Sequence, residues 1–209
     1  MSDYLMPVKN GIHEVVIDKS RFICHVYRVW TVEEANTYIE TIKKAHAKAN
    51  HNCVAYQIGE ANDIQRAFDD GEPTGTAGIP MLDVLKRQDI RNCLVIVTRY
   101  FGGIKLGAGG LIRAYGSTVS AGIQAVGLAR RVPLVSVRLS CDYSLSEVLQ
   151  SKIHGLGHGI GNVEYGEGVE IEALVETNQV DQFVSWVVVF THNRVRSVIG
   201  EVSYREVPV

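Results

Sequence analysis

The run Cys93-Leu94-Val95-Ile96-Val97 is followed closely by Gly102-Gly103-Ile104-Lys105-Leu106-Gly107-Ala108-Gly109-Gly110. An apolar, β-branched run without alternation suits a strand covered on both faces. Glycines then let the backbone turn tightly into a helix expected to reach about Gly127. Gly116 and Gly122 inside that helix each cost about 1 kcal/mol relative to alanine, which predicts close approach to a neighbouring element. The centre of the fold is therefore a sheet with helices packed on it.

The flanking segments extend this pattern. Residues 13–29 predict two strands separated by Asp18-Lys19-Ser20, and residues 51–58 predict another. Thr31 and Glu34 have capping-box spacing, with Val32, Ala35, Ile39, Ile42, Ala45 and Ala49 forming the apolar stripe of a helix. A second helix is expected from about Ala77 to Gln88, with Thr74 or Thr76 as its cap. Arg130-Arg131-Val132-Pro133 breaks the pattern. Beyond it the order is strand Leu134–Tyr143, helix Ser146–Leu156, strand Gly161–Tyr165, strand Val169–Thr177, helix Gln179–Phe190 and strand Arg196–Arg205. That order, βαββαβ, is ferredoxin-like. The 209 residues thus read as two α+β domains, 1–131 and 132–209.

Charge divides at the same place. Residues 1–130 hold 15 Lys/Arg against 13 Asp/Glu, and residues 131–209 hold 6 against 10. An overall charge of −2 excludes a uniformly basic nucleic-acid coat but leaves room for a local anion site on the first domain. The N-terminus shows no basic run leading into an apolar segment, and the densest apolar stretch, Trp186 to Phe190, is far short of the roughly 20 residues of a membrane helix. A cytoplasmic protein with no membrane partner is expected. Cys24, Cys53, Cys93 and Cys141 form no CxxC or zinc spacing and read as buried free thiols.

The strongest candidate site is Arg99-Tyr100-Phe101-Gly102-Gly103-Ile104-Lys105 with Gly107, Gly109, Gly110 and Arg113. Free N–H groups at a helix N-terminus attract anions. Lys105 and Arg113, with Arg99, would contact phosphates, and Tyr100 or Phe101 would stack a base. The loop is neither a P-loop nor a GxGxxG fingerprint, and its glycines are equally consistent with a plain strand-to-helix connection. The turn Asp69-Asp70-Gly71-Glu72-Pro73-Thr74-Gly75-Thr76 offers three carboxylates. They could hold Mg²⁺ with a phosphate, pair with Arg99, Lys105 or Arg113 to tie two loops together, or lie in a solvated turn. His154 and His158 have metal-pair spacing, but glycines interrupt the helix and no third ligand follows, so no metal and no cofactor are predicted. His46 and His51 flank a helix end, where they would complement the dipole. No GxSxG is present, and Ser117 and Ser120 read as packing residues.

Two long motifs, 69–80 and 99–115, closely resemble those of the IMPACT family in its bacterial branch, with the resemblance running over essentially the whole chain. It implies that the first domain is an α/β sandwich like domain 2 of ribosomal protein S5 and domain IV of elongation factor G. The second would be ferredoxin-like, as in elongation factor G domain V. It also implies a translation-associated role, since the eukaryotic members regulate translation through a protein partner. Three readings follow: a non-enzymatic protein that binds RNA or the ribosome through the glycine-loop surface; a regulator that binds a protein; or an enzyme acting on a phosphate ligand through the Asp69–Glu72 turn and a metal. A proline-peptidase activity finds no support, because the metal-ligand set it needs is missing.

Overall fold

The computed structural model describes residues 3–209. Contacts divide the chain into one unit of Tyr4–Arg130 with Val207–Val209 and another of Arg131–Glu206 with Asp3.

The N-terminal unit contains β1 (Tyr4–Pro7), β2 (Gly11–Ile17), β3 (Ser20–Arg28), α1 (Val32–Ala45), β4 (His51–Ile58), β5 (Ile64–Phe68), α2 (Gly78–Arg87), β6 (Cys93–Tyr100) and α3 (Gly107–Val126). Its main sheet has the order β2-β3-β6-β4-β5, antiparallel throughout. The apolar run thus becomes the central strand. Cys93, Val95 and Val97 pack with Phe22, Met81, Leu85 and Tyr115 on the side of α2 and α3. Leu94 and Ile96 pack on the α1 side with Ala35, Ile42, Val54 and Tyr56. Each fully buried large side chain contributes about 1.5–3 kcal/mol, so this strand anchors both cores.

Helix α1 starts as its sequence predicts. The Thr31 hydroxyl accepts from the Glu34 N–H, and the Glu34 carboxylate accepts from the Trp30 N–H at 2.7 Å. Gly122 approaches β3 closely, because a Cβ there would stand 2.6 Å from Cys24 Sγ. Gly116 does not: its nearest neighbour, Val84, would be in ordinary contact at 4.0 Å. Strands β1 and β5 are missed by the sequence reading. β5 is a short edge strand whose residues are half-buried or exposed, and β1 is held by bonds from Leu5 N to Asp89 O and from Arg91 N to Leu5 O. Neither carries a period strong enough to stand out. All four cysteines are buried free thiols.

His25, on the α1 side of β3, is 2% exposed and both its ring nitrogens lack a partner. Burial, with the neighbouring His46, pushes its pKa down to about 4. His25 is therefore neutral in the fold, whereas the unfolded chain binds a proton below about pH 6.5. Its contribution is fully present above pH 6.5 and is lost as pH falls toward 4. Between pH 7 and 4 the protein is expected to lose about 2 kcal/mol more stability than a His25→Leu variant, measured by urea unfolding at stepped pH.

The C-terminal unit contains β7 (Leu128–Cys141, which begins in the other unit), α4 (Tyr143–Gly155), β8 (Gly159–Tyr165), β9 (Val169–Glu176), α5 (Val180–Phe190) and β10 (Arg196–Pro208). The sheet order β10-β7-β9-β8 is the ferredoxin-like arrangement read from the sequence. Val137, Leu139, Ile171, Ala173, Leu149 and Phe183 fill its core. Arg130-Arg131-Val132-Pro133 does not interrupt a strand, contrary to expectation, because β7 runs through it. On the β9 side Pro133 removes no ladder bond, because the β7–β9 ladder starts only at Leu134, paired with Glu176. Asp142 occupies the N-cap position of α4 without a side-chain cap bond. His158 packs edge-on against Phe183 at 5.0 Å.

Candidate nucleic-acid interface

The end of β6 delivers the glycine loop to the surface, and the β2–β3 hairpin holds it there. That hairpin turns on Asp18 and Lys19, both with positive φ. Gly102 lies so close that a Cβ would stand 2.0 Å from the Lys19 carbonyl. Gly102 N also donates to Ser20 Oγ at 3.2 Å, and Phe101 N donates to Asn50 Oδ1 at 2.8 Å. The chain then enters α3 through Gly107, at φ +69°. This helix has no side-chain cap and no acidic residue in its first turn, so its N–H groups and positive dipole end remain available to an anion.

Lys105 and Arg113 are exposed, and neither has a carboxylate partner among the described residues. Arg113 Nη1 would lie 3.6 Å from a Cβ on Gly109, which places its guanidinium beside the first turn of α3. Lys19 is exposed as well and adjoins Gly102 through its backbone. Phe101, Ile104 and Ile112 add exposed apolar surface, at 44%, 41% and 44%. Gly103, Gly109 and Gly110 complete the loop and first helical turn.

Arg99 corrects the expectation. It is buried, donates from Nη1 to Glu72 Oε1 at 2.6 Å, and reaches Ser20 Oγ from Nη2 at 3.4 Å. Its guanidinium lies 5.3 Å from the Phe22 ring centre and 5.5 Å from that of Phe101. A cation so enclosed does not reach a phosphate. Tyr100 is also committed, since its hydroxyl shares a hydrogen bond with His46 Nδ1 at 3.0 Å and Arg21 lies 5.4 Å from its ring. His46 stands at the C-cap of α1, as its position predicts, and its ring also serves Tyr100.

The acidic turn is a structural lock. Asp69 accepts from the N–H groups of Gly75, Ala77 and Gly78, and so caps α2 from a distance. Burial acts to raise its pKa, but these three donors outweigh it and hold the carboxyl below its usual range. Thr74 is exposed and Thr76 donates to Pro73 O, so neither supplies the cap expected of them. Asp70 accepts from Lys43 Nζ and Asn52 N, each at 2.7 Å. Glu72 accepts from Tyr115 OH at 2.8 Å in addition to Arg99. His51 donates from Nδ1 to the Asp70 carbonyl and brings Nε2 to 3.8 Å from Glu72. Of the ways to spend these carboxylates, the pairing with Arg99 is the one realised; Lys105 and Arg113 take no part. Cys53 touches Asp69 O and Tyr115 OH, and burial pushes its thiol up to about 12, where it is not a nucleophile at neutral pH. Among the described residues no group of three or more His, Cys, Asp or Glu side chains is placed to hold a metal.

Comparison with known proteins accounts for both units. Residues 18–123 match the Impact N-terminal domain, and residues 139–194 match a domain of unknown function, DUF1949. The IMPACT family member YvyE of Bacillus subtilis is 45% identical over 206 residues, covering 99% of this chain and 95% of that protein. The chain belongs to the IMPACT family. Another relative, the IMPACT family member YigZ of Escherichia coli, is 34% identical over 88% of this chain and 91% of its own length. Protein IMPACT of Mus musculus is 32% identical over 51% of this chain and 34% of its own length. A crystal structure titled only as a hypothetical protein superposes with a TM-score of 0.61 at 30% identity, covering 96% of this chain and 98% of that one.

Within this IMPACT-family fold, sequence reasoning misses Lys19, Ser20, Asn50 and Tyr115. No local pattern marks these four, but one marks Lys105 and Arg113. From Ile90 to Cys141 the chain has seven Lys or Arg and no Asp or Glu. Such a stretch leaves its exposed cations without local competitors for an anion. No helix of the described residues is long and apolar enough to cross a membrane.

Proposed function

We propose that this protein is a translation-associated regulator whose N-terminal unit binds RNA without chemistry of its own. The observation that carries this reading is the pair of exposed, unpaired cations Lys105 and Arg113 beside the uncapped start of α3, with exposed Lys19 adjoining the same loop at Gly102. Phosphates supply the matching charge, and a helix N-terminus supplies oriented N–H donors. The depression on the sheet of the C-terminal unit is lined by Glu164, Glu170 and Glu172 with Arg138 and Asn162, a charge that repels phosphate. Membership of a family with eukaryotic members named Protein IMPACT supports the regulatory part of the reading.

Phosphate contacts release counterions, so the logarithm of RNA affinity is expected to fall linearly with the logarithm of salt, with a slope of about −2 to −3 for three contacts. Lys105→Ala combined with Arg113→Ala is expected to flatten that slope by about 1.5 and weaken binding evenly across sequences. A flat salt dependence of the unaltered protein overturns the reading. A second reading, a protein partner, draws on the exposed Phe101, Ile104 and Ile112. It predicts a stoichiometric protein that stays bound after nuclease treatment.

A further inference from the structure

We infer that the RNA this surface takes is single-stranded, with one unstacked base laid on the ring of Phe101; the inference rests on the RNA reading above. Phe101 is 44% exposed at the start of the glycine loop. The Arg99 guanidinium lies on it at 5.5 Å from the ring centre, and Arg99 is itself pinned by Glu72 and Ser20. The Phe101 N–H is fixed by Asn50. One face of the ring thus rests on a buried, fixed guanidinium and its backbone is anchored by Asn50, so a base landing on the other face meets little ordering cost. Each ring has a guanidinium on one face, but Tyr100 is half-buried, bonds His46 through its hydroxyl and has the His46 ring edge-on at 6.0 Å, whereas Phe101 is exposed.

The neighbours of Phe101 supply the rest of a single-strand site. Lys105 follows it in the loop and Arg113 lies beside the first turn of α3, so cations for a backbone adjoin the stacking ring. A strand with splayed bases presents phosphates and π-faces together. An A-form duplex keeps its bases stacked and offers phosphates and 2′-hydroxyls. Against a duplex, the exposed faces of Phe101, Ile104 and Ile112 would meet only polar groups. Shape and chemistry therefore separate the two forms of the same polymer.

The test uses the full chain and a short fluorescein-labelled RNA without self-complementarity, titrated alone and after annealing to its complement. The single strand is expected to bind at least about 10-fold more tightly than the duplex. Phe101→Ala is expected to weaken single-strand binding by about 5- to 100-fold, the range for one stacked base, and to leave duplex binding unchanged. Phe101→Trp is expected to retain binding and to show indole fluorescence quenching by the RNA, which a merely structural role would not produce. Equal affinity for both forms, or undiminished single-strand affinity in Phe101→Ala, overturns this inference and leaves RNA binding standing. Absence of binding to either form overturns both.

Discussion

Glu72→Ala is expected to destabilise the N-terminal unit by about 3–5 kcal/mol, seen as a lower urea midpoint with an unchanged slope. Glu72 and Arg99 are both buried, at 8% and 5% exposure, and meet at 2.6 Å. Removing the carboxylate leaves the guanidinium inside the fold between Phe22 and Phe101, with Ser20 Oγ as its remaining side-chain partner. It also strips the Tyr115 hydroxyl of its closest acceptor. The cost comes from the stranded charge more than from the lost attraction, so removing both charges together is milder. Glu72→Met with Arg99→Met is expected to cost clearly less than Glu72→Ala alone, an interaction that a double-mutant cycle measures directly. A single-variant cost under about 1 kcal/mol would show that the pair is solvated and that the acidic turn does not lock the loop.

The same pair shows what the sequence could and could not disclose. β6 was legible because its apolar run is unbroken, and α1 because cap and stripe agree. The ferredoxin-like order was legible from alternating strand and helix periods. Lys105 and Arg113 were legible as surface cations because they lie in and just beyond a glycine-rich loop, which turns outward. Arg99 was not, because on strand β6 burial depends on which partner reaches it, and Glu72 lies on a turn 27 residues earlier. Asp69 was misread for a related reason: it caps α2 through a turn that folds back, whereas sequence capping rules look one residue before the helix. Pro133 looked like a break in the strand pattern, although β7 continues through it, because its missing N–H matters only where a neighbouring strand needs it, and that depends on register. Tertiary pairing decided each of these misreadings, and local pattern decided each success.

Gly102→Ala is expected to cost about 3 kcal/mol and to lower RNA affinity, whereas Gly103→Ala costs about 1 kcal/mol. The two glycines are adjacent but constrained differently. At Gly102 a Cβ would stand 2.0 Å from the carbonyl of Lys19 and 2.5 Å from Ser20 N, which are backbone atoms that cannot swing aside. The loop and the β2–β3 hairpin must separate, straining the Gly102 N–H to Ser20 Oγ bond and the Ser20 contact to Arg99. At Gly103 the space is open and only φ +90° resists a side chain, a modest penalty. Separation at Gly102 also moves Lys19 away from Phe101 and Lys105, so stability and binding fall together, while Gly103→Ala leaves that spacing intact. Equal costs at the two positions would mean that the hairpin yields freely, and then the register between Lys19 and the loop could not be what presents these cations to a phosphate backbone.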